Sequence, residues 1–251
     1  MNTSSPTESS IAQGARVVLA FATQKGGMGK TTLSVLVASW LHYKRGIPSA
    51  ILDLDGSQLS VYNQRLREIE NLDDNTTDRL DTQNMDPYPI LSGSPGDVNR
   101  LLAELPETVK LVLLDLPGNI DVPGYDAALR RVNMLIVPME TSEYSVTTGF
   151  GYLNAIREVN LLPADSCRVV WNKFKQSRDG ELADQLEERF AEYGFQCLKS
   201  RIPQRDSYQD SGNRSTLFPM PTQYLRNSGL KDLFFEIEDL IEALQHERIQ
   251  Q

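Results

Sequence analysis

The residues best suited to chemistry are Gln24-Lys25-Gly26-Gly27-Met28-Gly29-Lys30-Thr31-Thr32. They follow the apolar run Val17 to Ala22 and precede the helix-like run Leu33 to Leu41. Strand, glycine loop and helix in that order form the context a phosphate-binding loop requires. Gly26, Gly27 and Gly29 let backbone N–H groups turn inward around phosphate oxygens, and the positive end of the following helix adds to that field. Lys30 can reach the outer phosphates, Thr31 can ligand Mg²⁺ and Thr32 can bond an inner phosphate. The common pattern has Gly where Gln24 stands; this loop instead opens with a second lysine, Lys25.

Carboxylates come next. Asp115 ends the nearly continuous apolar run Val109 to Asp115, in Leu-Leu-Asp-Leu-Pro-Gly. This is a Walker B arrangement, with a carboxylate facing the ligand crevice from a strand's C-terminal edge and able to hold Mg²⁺ directly or through water. Asp53 and Asp55 alternate at the end of a strand predicted over Pro48–Asp55, so they share a side unless the turn has begun.

The elements that must position these groups alternate along the chain. Helix is predicted over Leu59–Ile69, strand over Val109–Asp115, helix over Tyr125–Arg131, strand over Met134–Pro138 and helix over Ser145–Val159. Strand Cys167–Asn172, helix Gly180–Tyr193 and a short strand Leu198–Ile202 follow. A short helix opens at Ser94-Pro95-Gly96-Asp97 and runs through Leu105, whereas Asn71–Pro87, rich in Asp, Asn and Thr, has the least ordered composition. Leu230, Leu233, Phe234, Ile237, Leu240, Ile241 and Leu244 recur at helical spacing. The fold class is therefore α/β, a mostly parallel central sheet with helices on both faces. One domain is expected over 15–251, behind a Ser/Thr-rich disordered tail over 1–14.

The 251 residues are 40% hydrophobic and 24% charged, ordinary for a globular chain with a sizeable core. Cys167 and Cys197 lie in apolar surroundings without metal-ligand spacing, which implies buried free thiols and a cytoplasmic setting. No apolar run approaches membrane-spanning length. A net charge of −9 argues against strong attraction of the whole molecule to nucleic acid. A local basic stripe is still available from Arg168, Lys173, Lys175, Arg178, Lys199, Arg201, Arg205 and Arg214; Lys173, Lys175, Arg178, Arg201, Arg205 and Arg214 are the DNA-contact candidates.

Lys-Gly-Gly-x-Gly-Lys-Thr-Thr resembles the deviant Walker A loop of the ParA/MinD family of nucleotide-dependent dimerising ATPases. The family most often has Val where Met28 stands. It reads Asp-Thr-Pro-Pro where this chain has Asp115-Leu116-Pro117-Gly118, and Asp-x-Asp-Pro-Gln where this chain has Asp53-Leu54-Asp55-Gly56-Ser57-Gln58. The resemblance covers roughly residues 15–225 in order and spacing. It implies ATP and Mg²⁺ as cofactors, Asp55 as the residue orienting the attacking water, and Asp53 near the Mg²⁺ shell with Thr31 and Asp115. It also implies that Lys25 crosses a homodimer interface to the partner's ATP, much as an arginine finger does. Asn172, in Trp-Asn-Lys, and Pro203, in Ile-Pro-Gln-Arg, take the family's base-contacting places.

In the family, such a cycle positions cargo. The ParA-like branch binds nucleoid DNA without sequence preference and is released by an adaptor that stimulates hydrolysis, whereas the MinD-like branch binds membrane through a C-terminal amphipathic helix. Here the C-terminal helix carries Glu236, Glu238, Asp239, Glu242 and Glu247 on its polar face, which anionic lipid repels. The short tail before the loop does not hold a helix-turn-helix. The expectation is therefore a ParA-like, nucleoid-associated ATPase that partitions DNA or positions another large cargo. The alternatives are a P-loop enzyme of biosynthesis or metal-cluster delivery, a MinD-like membrane-associated ATPase, and a regulatory module that retains ATP.

Overall fold

Val17–Phe21 (β1) and Leu111–Asp115 (β4) are apolar at nearly every position, and every residue of both is buried. That pattern suits strands covered on both faces, which in turn calls for a parallel sheet with helical crossovers. The computed structural model describes residues 11, 14–83, 85–208, 210 and 212–249 and shows that arrangement. After β1 come Lys30–Arg45 (α1), Ser49–Asp53 (β2), Ser60–Glu70 (α2), Asp74–Thr82 (α3), Ile90–Ser92 (β3) and Val98–Glu104 (α4). After β4 come Tyr125–Leu129 (α5), Met134–Met139 (β5), Glu143–Glu158 (α6), Cys167–Phe174 (β6), Gln176–Glu192 (α7), Gln196–Pro203 (β7), Thr222–Leu225 (α8) and Leu230–Ile249 (α9).

Seven strands form one sheet in the order β3-β2-β4-β1-β5-β6-β7, with every pairing parallel. The chain departs from β1 toward β2 on one side and later returns past β1 to β5 on the other. The C-terminal edge beside β1 is therefore a topological switch point, where open α/β sheets bind ligands. Register aligns Phe21 with Asp115 and Asp53 with Asp115, so both aspartates end their strands at one level beside the loop that leaves β1.

Side-chain alternation divides the core. Val18, Ala20, Val112 and Leu114 pack with Leu101, Leu129, Tyr152 and Phe190 on one face. Val17, Leu19, Leu111 and Leu113 pack with Leu36, Leu41, Phe234 and Ile237 on the other. The predicted apolar stripe of α9 is thus spent inside the protein: Leu230, Leu233, Phe234, Ile237 and Ile241 are all fully buried.

Three local readings change. Asn71–Pro87 contains the exposed helix α3, started by Asp73, whose carboxylate accepts from Thr76 N at 2.7 Å. Helix α7 begins at Gln176 rather than at Gly180; the N–H of its N-cap residue Lys175 donates to Asp179 Oδ2 at 2.7 Å, which ties the earlier turn together. Strand β2 ends at Asp53, and the N–H groups of Gln58 and Leu59 both donate to Asp55 O, so Asp55 already lies in the turn. The expected tail over 1–14 lies mostly outside the described residues. Ile11, within it, is buried in the α9-side core, and its carbonyl accepts from Gln245 Nε2 at 3.3 Å.

Candidate nucleotide site

The loop after β1 adopts the shape its glycines permit. Gly27 (φ 73) and Gly29 (φ 83) both occupy the left-handed region, where a side chain is strained. Gly29 is also the residue from which α1 starts. No side chain caps that helix end and no acidic residue sits in its first turn, so its leading N–H groups are left for an anion. Met28 turns its side chain inward and is 2% exposed. Asn172, near the C-terminal end of β6, holds the loop from the side: its Nδ2 donates to Met28 O at 2.8 Å, and its Oδ1 accepts from Lys173 N at 2.9 Å. Asn172 is therefore a brace for the loop as well as a wall of the cleft.

A cavity of about 530 Å³ lies over this loop. Its walls include Gly26, Gly27, Met28, Gly29, Lys30, Thr31 and Thr32, together with Asp55, Asn172 and Pro203. The sequence thus identified residues that the fold brings to one cleft from four separate segments. The cavity wall also includes Lys173, Arg205 and Arg214, which the sequence reading placed among surface DNA contacts.

At the metal end, Thr31 Oγ1 donates toward both Asp115 oxygens, at 3.0 and 2.9 Å. Burial pushes the Asp115 carboxyl up to about 7; the nearby Asp53 charge adds to the rise, and the Thr31 hydrogen bond and Lys30 oppose it. Burial lowers the Lys30 ammonium against the pull of Asp115 and Asp55. Asp53 is fully buried, and its Oδ2 accepts from Val61 N and Tyr62 N at 2.9 and 3.0 Å, fixing the start of α2. Its Oδ1 has no hydrogen-bond partner among the described residues, an oxygen whose burial costs free energy until a cation or water meets it.

Two carboxylates and a hydroxyl suit a hard cation such as Mg²⁺. No cluster of three or more His, Cys, Asp or Glu side chains that could hold a metal occurs among the described residues. Phosphate oxygens and water would complete the shell, the usual habit of Mg²⁺. Once bound, the ion would neutralise charge on the transferring phosphoryl group.

Asp55 Oδ1 accepts from Ser57 Oγ at 2.6 Å, so the residue added relative to the family pattern touches the candidate water-orienting carboxylate. Lys25 is half-buried, with Nζ 5.2 Å from the centroid of the exposed Tyr144 ring on α6. Gly118 lies beside Lys30: a Cβ there would stand 3.5 Å from Nζ. Lys173 pairs with Glu140 at 3.0 Å, and its φ of 53 is unusual for a non-glycine residue. Arg178 pairs with Asp179, and Arg201 with Asp184 and Glu187. Arg205 donates to the carbonyls of Arg226 and Asn227. Lys175 is exposed at the N-terminal end of α7. Both cysteines are free, and burial pushes their thiols up to about 11 for Cys167 and about 12 for Cys197, values of inert thiols.

A glycine loop on a buried strand, a lysine inside it, a threonine meeting a strand-end aspartate, and a parallel sheet around them define a P-loop ATPase. Residues 19–218 match the CobQ/CobB/MinD/ParA nucleotide binding domain, and the chain belongs to that family. A search of curated proteins finds no match. Among solved structures, the chain is similar to a plasmid partition protein from Borrelia burgdorferi B31 bound to AMPPNP, with 18% identity and a TM-score of 0.63 over 88% of this chain and 99% of that one. It is also similar to a ParA family ATPase from Chlorobium tepidum TLS (19% identity, TM-score 0.58, 89% and 99% covered). A third is MinD in the MinC:MinD cell division complex of Aquifex aeolicus (14%, 0.63, 91% and 96%). At these identities the likeness concerns the fold.

Proposed function

We propose that the protein is a Mg-ATP-dependent dimerising switch that partitions plasmid or chromosomal DNA, or positions another large cargo, with a partner protein stimulating hydrolysis. The observation that carries this reading is Lys25. It opens the phosphate loop, yet it is not among the described residues that line its own cleft, and its ammonium stands 5.2 Å from the centroid of the Tyr144 ring. A cation there serves the cleft of a second copy better than its own, and it supplies the charge that phosphoryl transfer needs. The γ-phosphate then selects the dimer, and hydrolysis releases it.

Within one subunit, Lys30 and the loop amides hold the phosphates. Thr31 and Asp115 hold the cation, with Asp53 behind them, and Asp55 orients the attacking water. Asn172 and Pro203 border the base. Burial of the α9 stripe favours a cargo matrix other than lipid, and no helix among the described residues is long and apolar enough to cross a membrane. DNA is the matrix this reading favours, in keeping with a nucleoid-associated place in the cytoplasm. Lys175 and Arg178, at the exposed start of α7, are the first contacts to test.

The test is binding to random-sequence duplex DNA with ATP, with ADP and without nucleotide, across a salt series. ATP-specific binding that weakens steeply with salt is expected. Equal binding in all three states, or none with ATP, refutes DNA as the matrix.

A further inference from the structure

Arg214 is 182 residues beyond Thr32 in sequence and touches it in the fold: Nη1 donates to Thr32 Oγ1 at 3.1 Å. The contact is built from both sides of the backbone. The Arg214 N–H donates to Asp210 O at 3.0 Å, and its carbonyl accepts from Gln64 Nε2 on α2 at 2.5 Å. On the next residues, Ser215 O accepts from Ser39 Oγ of α1 at 2.8 Å, and Thr216 O accepts from Tyr43 Oη and from Arg65. Glu68 of α2 closes the set by accepting from Thr216 N. The segment is therefore tied to the two helices that leave the phosphate loop and the Asp55 turn.

The side chain is less satisfied than the backbone that carries it. Arg214 is half-buried, lines the nucleotide cavity, and has a buried Nε with no hydrogen-bond partner among the described residues. A guanidinium has five N–H donors in a planar fork suited to phosphate oxygens. One reaches Thr32. That hydroxyl accepts from arginine and so keeps its own proton for a second acceptor. The acceptor that lies there in a P-loop cleft is an inner phosphate of the nucleotide.

We infer that Arg214 is a nucleotide-positioning residue that, together with Thr32, holds an inner phosphate within the same subunit. The inference rests on the reading of this cleft as the ATP site. It removes Arg214 from the surface stripe of DNA contacts and separates its role from those of Lys25 and Lys30, which face the outer phosphates. Since ADP and ATP share their inner phosphates, Arg214 serves both nucleotides alike.

The experiment measures the affinities of wild type, Arg214→Ala, Arg214→Lys and Lys30→Ala for ATP, ADP and adenosine by titration calorimetry. Each variant's melting temperature without nucleotide serves as the folding check. Loss of a charge-assisted hydrogen bond to phosphate predicts that Arg214→Ala weakens ATP and ADP by the same factor, about tenfold or more, and leaves adenosine unchanged. Arg214→Lys, which keeps the charge without the fork, recovers part of the loss and covers the case in which the alanine variant does not fold. Unchanged affinity for both nucleotides overturns the inference. So does a loss confined to ATP, which would place the guanidinium at the outer phosphate, or an equal loss for adenosine, which would make it a brace of the cleft. If wild type binds neither nucleotide, the reading of the cleft itself fails.

Discussion

Replacing Gly29 by alanine is expected to act through Asn172. A Cβ on Gly29 would stand 2.6 Å from Asn172 Nδ2, closer than atoms pack. Asn172 is 8% exposed and held by two hydrogen bonds, to Met28 O and from Lys173 N, so it moves only by losing them. The left-handed backbone at φ 83 costs an alanine about 1–2 kcal/mol. The displaced amide leaves Met28 O without this donor, which costs about 1–3 kcal/mol more. Gly29→Ala should therefore destabilise by about 2–5 kcal/mol, a large share of an ordinary domain's stability. Asn172→Ala alone should cost about 1–3 kcal/mol through the same lost bond. In that background the clash no longer exists, and adding Gly29→Ala should cost only the backbone term of about 1–2 kcal/mol. Urea unfolding of the four proteins, followed by circular dichroism, gives the coupling directly. A coupling of about 1–3 kcal/mol is expected, with the double variant less damaged than the sum of the single ones. Additive effects, within about 0.5 kcal/mol, would mean that Asn172 does not brace the loop.

Asp115 predicts a pH dependence. Its carboxyl is raised from 3.8 to about 7, so the folded state holds a proton that the unfolded chain has lost. Stability without ligand should fall as pH rises through that window, with a full penalty of about 4 kcal/mol above it. Asp115→Asn should flatten melting temperature across the window; an unchanged slope would assign the dependence elsewhere. Lys30→Ala should abolish ATP binding in a fluorescence titration, and ordinary affinity would remove the phosphate-loop assignment. Asp55→Ala should bind ATP, fail to release phosphate and accumulate as a dimer. Wild-type turnover in that variant would deny Asp55 its role.

The fold was legible wherever apolar period and punctuation agreed. Val17–Phe21 and Leu111–Asp115 read as buried strands because parallel strands are apolar throughout. The loop from Lys25 to Thr32 declares itself because its chemistry is local. Strand β3 did not, since Ile90–Ser92 is three half-buried residues whose identity comes from pairing with β2. Helix α3 has no buried residue at all and hid behind a composition that reads as loop, although its Asp73 cap was visible as a residue type. The true start of α7 at Gln176 was masked by Gly180, which resembles a boundary yet lies inside the helix. The partners of the site were least legible. That Asn172 supports Met28, or that Arg214 meets Thr32, depends on sequence separations of 144 and 182 that only the sheet order and the docking of the 213–217 segment close. The surroundings of the cation stripe were hidden for a related reason: sequence gives charge, while Glu140, Asp179, Asp184 and Glu187 decide which of these cations have partners within the fold.

If Lys25 serves the cleft of a second copy, ATP joins two copies of this chain through it. Sedimentation velocity of wild type and Lys25→Ala, each with Mg-ATP, Mg-ADP and no nucleotide, tests it most directly. Wild type is expected to dimerise with ATP alone, and Lys25→Ala to bind ATP yet sediment as a monomer. A wild-type monomer at saturating ATP, or an unchanged ATP-dependent dimer in Lys25→Ala, would contradict it.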